Sequence, residues 1–321
     1  MEELNNVKLE WNQILMSQKK LLAEKYKDVN AEEVYAPLID MLNNNRIPSR
    51  VFLSGGKVST YGYIMPPLGV DDRILCSMGF SEYGKDKVDT GKEMIKWFES
   101  IAIQSSKLVI LDGIFNGEQF FNEIEKLEFR RVHRVKLVCS VDTIIENLKE
   151  KESEFTKLKR EFIELQQEEV DQEDLAEVQL DSYGDSPDQF LLVYKNGKNI
   201  TPQVIDSGYY GKILKAPSKV IHNGKIIGSC VISDGAFEFF RINTPLLVDI
   251  FVSKEFQNMG YGSHLMVMLA KKLKNLGHRE LQLWVNDQSK AIELYQKMGF
   301  VEEGEDDLMF FKDFREVSRK D

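Results

Sequence analysis

Hydrophobic spacing along this chain switches between a helical and a two-residue period, and it does so in the same order twice. Leu4, Val7, Trp11, Ile14 and Leu15 recur at helical spacing, which predicts an opening amphipathic helix. "SRVFLSGGKVSTYGYIMPP" then reads as two strands around a Gly-Gly turn, closed by Pro66 and Pro67. "RILCSMGF" (73–80) predicts a short apolar strand, followed by a helix over 91–105 and the strand "KLVILDGIF". A helix over 117–127 and the strand "RRVHRVKLVCS" are expected to close that half.

The second half repeats the order. "SKVIHNGKIIGSCVIS" predicts a hairpin turning at Asn223-Gly224, a pair suited to the positive φ angles of a tight hairpin turn. "PLLVDIFVS" predicts a strand. The helix after it places Leu265, Met266, Leu269, Leu273 and Leu276 on one side and ends at Gly277. "ELQLWV" predicts a strand, "SKAIELYQKM" a helix, Gly299-Phe300 a turn and "DLMFFKDF" a last strand.

Between the halves, "TIIENLKEKESEFTKLKRE" carries alternating charges, the mark of a solvated helix or linker. The acidic stretch "QQEEVDQEDLAEV" reads as a solvated helix entry. The pattern predicts an α/β (mixed α+β) fold in two domains, 1–145 and 161–321, joined by a charged helical linker over 146–160. Aligning "RILCSMGFSE" with "LLVDIFVSKE", and "EQFFNEIEKLEF" with "SKAIELYQKMGF", makes the domains two copies of one fold.

Composition narrows the function. The chain has 321 residues, 42% of them apolar and 29% charged, as in a folded globular protein. Its net charge of −10 argues against nucleic acid or an anionic membrane as partner. Cys76, Cys139 and Cys230 are far apart, and His133, His222, His264 and His278 form no ligand pair, so free thiols and no metal site are expected. The acidic, amphipathic "MEELNNVKLEWNQ" is not a signal peptide, and no apolar run has membrane-spanning length. A cytoplasmic location follows as the expectation.

The chemistry concentrates in "SKEFQNMGYGSHL", residues 253–265, between a strand and a helix. A helix start leaves backbone N–H groups unpaired under a partial positive charge, and a phosphate reaches them only where no Cβ intervenes. Gly260 and Gly262 supply such gaps. The dinucleotide fingerprint requires a third glycine where Leu265 stands, and the P-loop requires Gly-Lys-Ser/Thr, which is absent.

Gln257-Asn258-Met259-Gly260-Tyr261-Gly262 resembles the Q/R-x-x-G-x-G/A signature of the GNAT superfamily of N-acetyltransferases. Ala291, Leu294, Tyr295, Gly299 and Phe300 resemble that family's second signature, A-x-x-L-Y-x-x-x-G-F. The resemblance covers roughly 160–315. It implies two tandem GNAT-like domains, each a mixed, mostly antiparallel sheet flanked by helices, with a degenerate N-terminal copy as in the mycothiol synthase arrangement. It implies acetyl-CoA as acyl donor, lying in a splay between the strand ending at Val252 and the strand ending at Val285. Ile250, Phe251 and Val252 would flank the pantetheine. The amides of Gln257, Asn258, Met259, Gly260, Tyr261, Gly262 and Ser263 would hold the pyrophosphate.

The resemblance further implies Tyr295 as general acid for the departing thiolate. Full proton transfer from a phenol of pKa ~10 to a thiolate of ~8.5 is uphill by ~2 kcal/mol. An attacking lysine-like ammonium costs ~4–5 kcal/mol to deprotonate at pH 7. No residue stands out as the base: Asp249 beside the cofactor strand is one candidate, with Glu238, Glu255 and ordered water as alternatives. Gln288 stands where many members carry Asn, and Asn286 is out of register. The N-terminal half has "EYGKDKVDTGKE" opposite the glycine signature and Ile124 opposite Tyr295, so it is expected to lack the cofactor site. The acceptor is a small-molecule or peptide amine, and the oligomeric state stays open. The alternative is a non-catalytic acyl-CoA-binding or scaffold protein that keeps the cleft.

Overall fold

The structure, a computed structural model, describes residues 11–25, 30–54, 56–65, 72–81, 87–151, 161–165, 172–183, 211–214, 216–237, 240–241, 244–303 and 307–315. Leu4 and Val7 of the expected opening helix, Pro66 and Pro67, Glu238 and most of the charged stretch after Lys151 lie outside these residues. The chain divides into two compact units: Met1–Val132 with Leu308–Asp321, and His133–Asp307.

The first unit opens with the helical segments α1 (Trp11–Ile14), α2 (Met16–Lys25) and α3 (Ala31–Asn43). Trp11, Leu15, Leu38 and Leu42 pack with Tyr61 and Tyr63, and the buried Gln18 amide joins both phenols, donating to Tyr61 at 3.0 Å and accepting from Tyr63 at 3.2 Å. Strands β1 (Ser49–Ser54), β2 (Lys57–Ile64), β3 (Arg73–Phe80) and β4 (Leu108–Phe115) follow in sheet order. Helix α4 (Lys87–Ser105) crosses from β3 to β4, which run parallel, and α5 (Phe121–Lys126) comes next.

The strand that closes this sheet was not the one the sequence suggested. Strand β14 (Asp307–Asp313), from the far end of the chain, pairs antiparallel with β4 from Met309↔Asp112 to Asp313↔Leu108. Phe310 and Phe314 are buried beside Met94, Phe98 and Phe120, and Lys312 bridges Glu99 at 2.8 Å.

The second unit shows the reciprocal exchange. Strand β5 (Arg130–Ser140), expected to close the first half, pairs antiparallel with β12 (Glu280–Asn286) from Ser140↔Glu280 to Arg134↔Asn286. Helix α6 (Val141–Asn147) follows it, with Ser140 capping its N-terminus. Val141 and Ile144, read from the sequence as part of a solvated stretch or linker, are buried in the second unit's core, as is Leu148 just beyond the helix. An apolar stripe outweighs charged neighbours when it has a core to enter. The units thus do not follow the expected division at 146–160.

The rest of this sheet runs β6 (Glu161–Leu165), β7 (Ala216–His222), β8 (Lys225–Ser233), β11 (Leu246–Val252), β12 and β5, with β13 (Val301–Glu302) beside β5. The short strands β9 (Ala236–Phe237) and β10 (Phe240–Arg241) pair with each other. The β7–β8 hairpin turns as the sequence predicts, at Asn223 (φ 51°) and Gly224 (φ 75°). Helix α7 (Gln172–Tyr183) precedes the hairpin, α8 (Tyr261–Asn275) joins β11 to β12, and α9 (Ala291–Lys297) follows β12. Leu265, Met266, Leu269, Ala270 and Leu273 bury one side of α8. Each fully buried leucine of that row contributes ~1.5–3 kcal/mol relative to exposure. Hairpin, strand, helix and parallel strand therefore occur in the same order in both units.

Candidate functional site

Strands β11 and β12 begin as a parallel pair and then part. They register only at Leu246↔Gln282 and Leu247↔Leu283, although both strands continue to Val252 and Asn286. In the first unit the equivalent parallel pair, β3 and β4, stays paired from Arg73↔Leu108 to Gly79↔Phe115, with one register shift between Cys76 and Met78. Phe80 and Phe120 fill the far end of that seam, and a Cβ on Gly117 would meet Phe80 at 2.7 Å. The second unit's seam is open where the first unit's is closed.

A bulge accompanies the parting. Along β8, Leu247 faces Ile232 and Asp249 faces Val231, which leaves Val248 as an extra residue. Simple alternation would put Asp249 on the same face as Leu247. With the extra residue, Leu247, Ile250 and Val252 all pack against the core, while Asp249 and Phe251 turn to α7. The bulge explains how an aspartate can follow an apolar strand without being driven into its core.

Ladder parity assigns the backbone of the open strand. Ser253 N–H donates to Ile227 O at 2.8 Å, which makes Phe251/Ser229 the next bonded pair and Val252/Gly228 a non-bonded one. The backbone groups of Ile250 and Val252 consequently point away from β8, toward the side that β12 vacates. Phe251 spends its backbone on β8, so of the three residues expected beside the pantetheine only Ile250 and Val252 aim backbone at the splay. Val252 O accepts from the Gln257 amide at 3.0 Å. Gly228 is needed for β8 to come this close: a Cβ there would lie 2.7 Å from Phe251 O.

The glycine signature forms the mouth of the splay. A 3-10 turn (Lys254–Phe256) leads to Asn258 at φ 61° and Gly260 at φ 87°, two left-handed residues that set the entry to α8. The internal ladder of α8 starts with His264 N–H donating to Gly260 O at 3.0 Å. The N–H groups of Tyr261, Gly262 and Ser263 therefore have no acceptor within the helix. A Cβ on Gly262 would meet nothing within 4 Å. The two glycines thus differ in purpose: Gly260 for its backbone angle, Gly262 for the open space above the helix start. Met259 is exposed, while Tyr261 is buried with its ring against Phe256 and His222.

At the other strand, the β12–α9 turn is held by Asn286. Its buried side chain accepts from Gln288 N–H at 2.9 Å, and its carbonyl accepts from Ser289 N–H at 2.9 Å. The Gln288 side chain is exposed, so Asn286, set aside as out of register, is the residue that shapes this turn. His133 Nδ1 lies 2.7 Å from Asp287 Oδ2 beside it.

Tyr295 sits on α9, 8% exposed, with its ring edge-on to Phe300 at 5.6 Å. Burial, then the charge of Asp249, raise its pKa, so the phenol stays protonated. The same causes push the Cys230 thiol up to about 12, which makes it a buried apolar filler rather than a nucleophile.

Asp249 has partners that the sequence did not reveal. Tyr183 Oη donates to Oδ1 at 2.7 Å and the buried Gln179 amide donates to Oδ2, both from α7. The same turn of α7 holds the glycine loop. Asp181 Oδ2 accepts from Ser253 Oγ at 2.7 Å and from Lys254 N–H at 2.8 Å, and Ser182 O accepts from the Gln257 amide at 3.2 Å. Gln179 and Tyr183 lie beyond the reach of spacing rules, because their partners are some seventy residues away in sequence.

Among the described residues, no group of three or more His, Cys, Asp or Glu could hold a metal ion, and no helix is long and apolar enough to cross a membrane. The three cysteines are free and buried.

Comparison with known proteins adds to this geometry. A GCN5-related N-acetyltransferase from Sphaerobacter thermophilus superposes with a TM-score of 0.51 at 11% identity, over 94% of this chain and 91% of that one. A GCN5-related glucosamine N-acetyltransferase region of a fungal multi-domain GH3 β-N-acetylglucosaminidase gives 0.53 at 13% identity, over 94% of this chain and 37% of that one. A functionally unknown conserved protein from Staphylococcus epidermidis gives 0.50 at 15%, over 83% of this chain and 95% of that one. These likenesses establish a shared fold. Residues 207–300 match the Acetyltransferase (GNAT) family. The splayed strands, the glycine loop and α9 all fall in that stretch, so the part of the chain that forms the site is the part that is similar to the GNAT family.

Proposed function

We propose that this protein is an N-acetyltransferase that moves an acetyl group from acetyl-CoA to a primary amine by direct attack in a ternary complex. The observation that carries the reading is the parting of β11 and β12 after Leu247 and Leu283, directly beside a helix start with open space over Gly262. A pantetheine amide chain fits the vacated edge of Ile250 and Val252 as an added strand. A pyrophosphate fits the N–H groups of Tyr261, Gly262 and Ser263. The amides of Gln257, Asn258 and Met259 and the Gln288 side chain border that path. The first unit, whose seam is closed, is a degenerate copy without this site, which makes the protein a tandem GNAT.

Acetyl-CoA supplies the activated thioester carbonyl. Asp249 receives the proton that the amine gives up as its nitrogen bonds to that carbon. Tyr295 donates its phenolic proton to the sulfur as the C–S bond breaks. A phenol made less acidic by burial protonates a thiolate only where the thiolate is desolvated too, since burial raises both pKa values. The acceptor is a small-molecule or peptide amine, and the cytoplasm is the proposed location.

The alternative, an acyl-CoA-binding protein without turnover, draws on that same weak acidity of Tyr295. Thermal stability measured with acetyl-CoA, CoA, NAD and ATP tests the reading. Ligand at a hundred times its Kd adds about 2.7 kcal/mol. Stabilisation by acetyl-CoA and CoA alone, followed by thiol release with an amine, is the expected result. No stabilisation by either thiol compound removes the transferase reading, and binding without turnover of any amine favours the alternative.

A further inference from the structure

The last turn of α7 touches both halves of the site, and its two inward polar residues have no part in the chemistry outlined so far. We infer that Tyr183 and Gln179 are positioning residues that hold the Asp249 carboxylate as the acceptor-side proton acceptor; this rests on the acetyltransferase reading.

Gln179 and Tyr183 are four residues apart, so they share one face of α7. Each donates to a different oxygen of the same carboxylate, Tyr183 to Oδ1 at 2.7 Å and Gln179 to Oδ2. Two donors on two oxygens fix the plane of the carboxylate, which a single bond does not. The Gln179 side chain lies in a residue only 2% exposed, and a buried amide is retained where its hydrogen bonds are met. The bulge at Val248 is what presents Asp249 to these donors instead of to the core. A bulge, a buried amide and a phenol converging on one carboxylate make a supported group rather than a surface acid.

Titratable groups that interact with Asp249 include Tyr183 of α7, Tyr295 of α9 and Cys230 of β8. All three are neutral at ordinary pH by their chemistry. Hydrogen bonds donated to a carboxylate favour its charged form. Removing one donor therefore raises the pH at which Asp249 becomes a usable base.

The test uses the full chain as wild type, Tyr183→Phe, Gln179→Met and Asp249→Asn. Rates are followed by thiol release at saturating acetyl-CoA, with spermidine and tyramine as acceptor probes, and acetyl-CoA affinity is measured by calorimetry. For Tyr183→Phe and Gln179→Met, kcat/KM for the amine should fall about tenfold, with the acidic limb of its pH profile displaced upward by about one unit. Acetyl-CoA affinity should hold within about twofold. Carbon-13 titration of the Asp249 carboxyl in the acetyl-CoA complex gives the same answer without an acceptor: its midpoint should rise in Tyr183→Phe. Superimposable profiles and titrations overturn the inference, as does full activity of Asp249→Asn. A parallel loss of acetyl-CoA affinity assigns the two residues a structural role instead. A wild-type protein that binds no acetyl-CoA sinks the acetyltransferase reading itself, and that outcome is told apart from the others by the calorimetry.

Discussion

Leu247 and Leu283 are the last two residues at which β11 and β12 stay paired, and the site begins where their register ends. Sheet strands leave backbone groups unpaired only at a cost, so a parallel pair that parts in mid-strand points to something else that completes the ladder. In the first unit Gly79 and Phe115 are still paired at the equivalent end, and nothing needs to enter.

The two signature glycines should respond differently to substitution. Gly262→Leu adds a side chain to open space within a helix, so the thermal midpoint should not fall. Its acetyl-CoA affinity should drop by about a hundredfold or more, because the new side chain occupies the path to the first-turn N–H groups. Gly260→Ala places a Cβ at φ 87°, a strain of about 1–2 kcal/mol, and should lower stability first. Paired melting and calorimetry separate the two, and unchanged affinity in Gly262→Leu would place the phosphates elsewhere.

Tyr295→Phe should leave acetyl-CoA binding intact and lower kcat by about a hundredfold to ten-thousandfold, the range of a lost proton donor. Burial and the charge of Asp249 raise the folded pKa of this phenol, so it remains protonated as pH rises past its usual value near 10. The alkaline limb of the wild-type pH–rate profile should consequently survive in shape up to that pH. An alkaline limb well below it that vanishes in Tyr295→Phe would contradict the assignment.

Asp181→Ala removes the acceptor of Ser253 Oγ and Lys254 N–H at the foot of the glycine loop. KM for acetyl-CoA should rise several-fold with kcat changed by no more than about twofold. The Ser253 hydroxyl, then the Lys254 amide, hold the Asp181 carboxyl below the usual carboxylate range. A depressed folded pKa stabilises above the unfolded value of about 3.9 and loses that contribution as pH falls through the folded value. Loop anchoring by Asp181 is therefore expected to be constant near neutrality and to weaken only in strong acid. A KM that rises already between neutrality and mild acid would show that another group anchors the loop.

Strand exchange gives a prediction about where the chain can be cut. A fragment beginning at residue 161 lacks β5, which pairs with β12 over seven positions, and lacks Val141, Ile144 and Leu148 of its core. It should be insoluble or molten, as judged by broad amide resonances, whereas a fragment beginning at residue 130 keeps those elements. Phe310→Ala, in β14, should destabilise the first unit by about 3–5 kcal/mol in denaturant titration, because that ring is fully buried there. A sharp, cooperative melt of the fragment from 161 would argue that β5 is dispensable.

The legible parts of this protein are those whose cause is local. Asn223-Gly224 dictates its hairpin, Gly260 its left-handed turn, and the leucine row of α8 its buried face, all within a few residues. "RRVHRVKLVCS" and "DLMFFKDF" were legible as strands because alternation is local, but their neighbours were not, since partner choice is a long-range matter. The bulge at Val248 likewise left no trace in "LLVDIFV", and its effect on Asp249 could be read only against β8. Ile144 and Leu148 read as part of a solvated stretch because their charged neighbours, Glu146, Lys149 and Glu150, dominate the local pattern, although both are buried.

The exchanged strands also fix when the chain can fold as it leaves the ribosome. His133 meets Asp287 across 154 residues, and Lys312 meets Glu99 across 213. Neither unit can finish its sheet from the residues behind it: β4 waits for β14, and β5 waits exposed until β12 emerges. Tandem repeats that each close on their own residues fold one after another during synthesis, whereas this arrangement postpones completion of the first-made unit until β14 has been made. Such long-range closure is slow, and the nascent chain holds unpaired strand edges throughout that interval. Folding of the first-made unit therefore depends on how well those edges are protected until β14 is made.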